Sequence, residues 1–157
     1  MSRGDPVMRV VPSVLDRLIS GSERDAAGGY HQVLRDLKAS VRRDLENLLN
    51  TRWRCHSFPP DMEELETSLM NYGIPDLTNA NLGVGQNREE FRRIIEKAIR
   101  RFEPRFKRVN VQIIPSPDPF DRTMRFRIDA LLHAEPAPEP VVFDSSLEPT
   151  TYTFKVQ

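Results

Sequence analysis

The sequence has a single cysteine, Cys55, among 157 residues, so no disulfide can form within the chain. A reducing, cytosolic setting is the default expectation. Long apolar runs are missing as well. None approaches the roughly 18 residues that a membrane-spanning helix needs. Residues 1–9 show neither an apolar signal core nor a small-residue cleavage site, so secretion is not expected. Net charge is zero, with 23 Lys and Arg against 23 Asp and Glu, which speaks against the basic excess that general nucleic-acid binding draws on. Lysine itself is scarce: four Lys stand beside 19 Arg. Arginine suits bidentate, partly buried pairing with carboxylates, although a GC-rich genome explains the bias more plainly.

The fingerprints of common enzymes are also absent. There is no Gly-x-Ser-x-Gly, no phosphate-binding loop and no dinucleotide motif. His31, His56 and His133 lie far apart, and Cys55 beside His56 is the one adjacent soft pair. A zinc site needs three or four converging ligands, so neither metal nor cofactor is expected.

What is present predicts an α+β fold, with two main helices packed on one face of a small, mainly antiparallel sheet. Leu34, Leu37, Val41, Leu45 and Leu48 recur at three- and four-residue steps and predict a helix over 33–49, with Asn50 as its left-handed stop. Phe91, Ile94, Ile95, Ala98, Ile99 and Phe102 predict a second over 88–102. Asn87 and Glu90 would form its capping box, and Pro104 would end it. Alternating apolar residues predict strands over 108–114, 123–133 and 150–156, with Pro136, Pro138 and Pro140 as an extended linker between the last two. Residues 1–30 read as an N-terminal arm and 31–157 as a single domain. The arm carries a short apolar stripe, Val14, Leu15, Leu18 and Ile19, before Gly21, Gly28 and Gly29. Such a stripe is too short to be stable alone and is read as docking onto a partner.

Three constellations could carry function. Glu63, Glu64, Glu89, Glu90 and Glu103 offer acid pairs of the kind that hydrolyse glycosides, but any chain this rich in acids offers them. Residues 88–108 carry a local excess of basic charge, which a solvated helix back explains as well as nucleic acid does. The sharpest is Glu103-Pro104-Arg105, where a helix gives way to a strand. It is either a helix stop with a local ion pair or a rigidly presented pair that grips a partner. The partner-binding residues expected are Glu103, Pro104 and Arg105, together with Val14, Leu15 and Leu18.

Four strings together resemble the TssE family of type VI secretion baseplate subunits, related to the wedge proteins of contractile phage tails. They are Leu48-Leu49-Asn50-Thr51-Arg52, Asn71-Tyr72-Gly73-Ile74-Pro75-Asp76-Leu77, Glu103-Pro104-Arg105 and the leader around Val11-Pro12-Ser13-Val14. The resemblance implies a non-enzymatic wedge subunit that helps assemble the baseplate and start sheath polymerisation. Its partners would be other wedge subunits and sheath subunits, with no nucleic acid and no membrane insertion. It would work in the cytoplasm, in a baseplate docked at the inner membrane. It further implies a sheet able to accept strands from the first sheath ring, in line with the small sheet with available edges read from the residues. A historical lysozyme label in the wider family keeps a peptidoglycan hydrolase as the alternative.

Overall fold

The computed structural model describes residues 18, 30–53, 61–62, 64–65, 68–76, 85–116, 121, 123–134, 137–148 and 150–157. The leucine stripe forms α1, Tyr30–Asn50, with Val41, Leu45 and Leu49 fully enclosed. The second stripe forms α2, Gly85–Phe102, with Phe91, Ile95 and Ile99 inside. Four strands follow: β1 Phe106–Ile114, β2 Met124–Leu132, β3 Glu139–Glu148 and β4 Thr153–Val156. They pair antiparallel in the order β1-β2-β3-β4, a simple meander. Burial alternates along β2 and β3, so one face of the sheet is covered and the other meets solvent. Both helices lie on the covered face. Phe91 of α2 meets Phe126 of β2 and Phe154 of β4, with ring centroids 5.8 and 6.3 Å apart. These rings lie at the centre of the core.

Three expectations need correction. Residues 134–149 are not all linker, because β3 runs through them. Pro140 sits within it, opposite Leu131. Proline is tolerated there because β4 pairs only with Ser145 to Glu148, so no strand seeks an N–H at Pro140 from the far side. Asn87 is not a cap, since α2 already begins at Gly85. Asn50 is not a left-handed stop. The non-glycine residue with positive φ among those described is Tyr152, at 51°, in the turn before β4. The arm residues Val14 and Leu15 lie outside the described residues. Leu18 is helical and 78% exposed.

Candidate functional site

The Glu103-Pro104-Arg105 corner follows from the end of α2. Proline cannot continue the helix, and the chain turns there. The Glu103 amide still donates to Ile99 O, at 2.9 Å, and Phe106 N–H donates back to Glu103 O. Glu103 is buried, 5% exposed, and its carboxylate is held by the Arg105 fork. Arg105 Nε donates to Oε1 at 2.7 Å and Nη2 to Oε2 at 2.6 Å. The same guanidinium crosses to α1, where Nη2 meets Asp44 Oδ2 at 2.7 Å and Nη1 meets Ser40 Oγ at 3.1 Å. Burial pulls the Arg105 pKa down, but Glu103 and then Asp44 outweigh it and hold the pKa above its usual value. Asp44 also accepts from Arg43 at 3.0 Å. The arrangement is a clip between two elements, with Pro104 exposed at its apex.

Next to the clip lies a second junction. After α1 the chain passes through Thr51, Arg52 and Trp53, and Ile74 runs beside it. Ile74 N–H donates to Thr51 O at 3.0 Å, and Trp53 N–H to Ile74 O at 3.1 Å. Gly73 makes this approach possible. Its φ is +112°, and a Cβ there would lie 2.4 Å from Thr51 O. Arg52 caps α1 through Leu49 O at 2.8 Å and reaches Tyr152 O at 2.6 Å. Burial lowers its pKa, opposed by Asp76. Tyr72 packs edge-on against Phe102, with centroids 5.3 Å apart. Burial raises its phenol pKa first, and the charges of Asp44 and Glu103 add to the rise. Tyr72 therefore ties the junction to the clip. Thr51, Arg52, Trp53, Tyr72 and the exposed Leu69 and Met70 line an open groove here.

Three of the four resembling strings thus converge at one end of the molecule. Sequence reasoning found Glu103 and Arg105 but missed Ser40 and Asp44. Their signal was available: they stand four residues apart on one face of α1, where an arginine fork can bridge them. The groove carried no such signal, because Leu69 and Met70 come close to Trp53 only through the Gly73 turn.

Of the candidate acids, Glu89 and Glu103 take structural roles, and Glu63 lies outside the described residues. Glu89 is exposed and bonded to Arg92, which lowers its pKa, opposite to the needs of a general acid. Glu103 is enclosed by Arg105. Among the described residues, no group of three or more His, Cys, Asp or Glu could hold a metal ion. Cys55 and His56 lie outside those residues. No helix among the described residues is long and apolar enough to cross a membrane.

A family profile described as "Baseplate wedge protein gp25" matches residues 35–137. No curated protein matches the chain. Among solved structures, a chain of "The baseplate complex from the type VI secretion system" superposes with a TM-score of 0.50 at 17% identity, over 74% of this chain and 98% of that one. At that identity the likeness speaks for the fold.

Proposed function

The chain belongs to the gp25 family of baseplate wedge proteins, and from that membership we propose that it is the non-enzymatic wedge subunit of a type VI secretion baseplate. In this reading it sits in the cytoplasm, in a baseplate docked at the inner membrane, and joins other wedge subunits. It also helps the first ring of sheath subunits to polymerise. The observation that carries the reading is the family match over α1, α2, β1 and β2, a stretch that contains the whole clip. The clip holds the α1 end and the α2–β1 corner as one rigid body, and rigidity lowers the entropy lost on docking. We assign the exposed turn at Pro104, fixed by Glu103 and Arg105, to the partner-binding surface. Val14, Leu15 and Leu18 of the arm form a second contact. Strand addition from the sheath is favoured by main-chain bonding, but at the centre of β1 or β4 it would have to displace side chains already bonded there.

Fluorescent-sheath imaging tests the proposal in cells lacking this chain, complemented with the parent or with none. Sheaths should assemble only with the parent. Normal sheath dynamics without it would overturn the assembly role. Steady, concentration-dependent release of soluble fragments from peptidoglycan by purified protein would overturn the non-enzymatic assignment.

A further inference from the structure

The two outer strands of the meander show an unusual use of side chains. Asp144 of β3 and Gln157, the residue after β4, exchange both main-chain bonds, at 3.1 and 2.8 Å. Antiparallel alternation then turns the Phe154 peptide groups away from β3. Both are occupied. Phe154 N–H donates to Asn50 Oδ1 at 2.8 Å, and Asn50 Nδ2 donates to Phe154 O at 3.0 Å. The Asn50 amide thus makes the two bonds that another strand would make, and Arg52 takes Tyr152 O beside it.

β1 is closed in the same way by α2. Arg100 Nη2 donates to Val109 O at 2.9 Å, Arg92 Nη1 to Val111 O at 3.2 Å, and Val111 N–H to Glu96 Oε2 at 3.3 Å. Glu96 is the hub, since it also pairs with Arg92 at 2.7 Å and Arg100 at 2.6 Å. The spacing explains the fit. Residues four apart on a helix rise about 6 Å, and residues two apart on a strand advance about 6.8 Å. Glu96 and Arg100 therefore match the outward groups of Val111 and Val109, and Arg92, a turn earlier, reaches back to Val111 beside Glu96.

A nine-residue edge strand with β-branched residues at its centre is a template for pairing with another chain. Zero net charge supplies no long-range repulsion between copies. We propose that Glu96, with Arg92 and Arg100, is an edge guard that keeps the free chain from pairing, β1 to β1, with a second copy of itself, as Asn50 and Arg52 cover the opposite edge at β4. This concerns the chain before assembly and does not rest on the baseplate reading.

The test uses the full chain and its Glu96→Ala variant, with Lys97→Ala on the same helix as control. Amide exchange at Val111 should quicken at least tenfold in Glu96→Ala. Its light-scattering mass should rise with concentration from monomer towards dimer, while the parent and Lys97→Ala stay monomeric. A second variant, Arg92→Ala with Arg100→Ala, frees the carbonyls but spares the Glu96 acceptor and should also dimerise, which covers a folding failure of the first. Monomeric mass in both variants over the full range overturns the proposal, as does unchanged Val111 exchange. A parent that is already a dimer through β1 overturns it too.

Discussion

Arg105 shows how burial changes the meaning of a charge. Its side chain is 13% exposed, and it is the counter-charge of a carboxylate that is 5% exposed. An exposed pair would be worth roughly 0–1 kcal/mol. Removing one partner of a buried pair leaves the other uncompensated and costs about 3–5 kcal/mol. Arg105→Ala is therefore expected to lower the melting temperature clearly, and a denaturant titration measures by how much. An unchanged melt would mean that Glu103 finds other partners. Tyr72 reports on the same cluster. Its pKa is raised in the fold by burial and by Asp44 and Glu103. The fold thus favours its protonated form. The associated stability is fully present below the unfolded value near 10 and is lost as pH rises through the folded value. Tyr72→Phe should remove that part of the alkaline destabilisation, read by melting curves on either side of the transition. Ser145 is the opposite case: buried on β3 at 4% exposure, its Oγ has no partner. Ser145→Ala should raise stability by about 1 kcal/mol, since an unmet hydroxyl carries a desolvation penalty. A loss of stability would point to a partner for that hydroxyl.

At the scale of elements, α1 and β4 depend on each other through Asn50. Asn50→Ala removes the side-chain amide that bonds both the Phe154 N–H and its carbonyl and should cost about 1–3 kcal/mol. Faster amide exchange at Phe154 would accompany it. Unchanged exchange would show that the amide pairing is weak. The helices were legible in the sequence because Leu34 to Leu48 and Phe91 to Phe102 repeat at helical spacing. β2 was legible because Met124, Phe126, Ile128, Ala130 and Leu132 alternate without a break. β3 was not. Ser145 takes an inward position where an apolar residue is expected, Val142 takes an outward one, and Pro140 reads as a breaker. Only the shortness of β4 makes that proline harmless, a fact of pairing rather than of local composition. The candidate site was half legible for a similar reason. Proline marks the corner locally, whereas Asp44 joins it across 61 positions of sequence.

At the scale of the whole molecule, the arm is expected to stand outside the domain's stability. Among the described residues the core comes from α1, α2, the sheet and Ile74, and Leu18 is exposed. Deleting residues 1–28 should leave the melting temperature nearly unchanged while weakening incorporation into the baseplate, followed by pull-down of tagged protein. A large drop in melting temperature would assign the arm to the domain instead.

Asn50 and Phe154 are 104 positions apart, and this separation bears on the order of events during synthesis. The meander β1 to β3 joins neighbours in sequence and can form as each hairpin leaves the ribosome. The end of α1 cannot. Its amide and the nearby Arg52 wait for the last strand, so the leucine face of α1 stays unsettled for nearly the whole of translation. Non-local closure of this kind slows folding and prolongs exposure of apolar surface. The nascent chain is then most open to capture by chaperones just before β4 emerges.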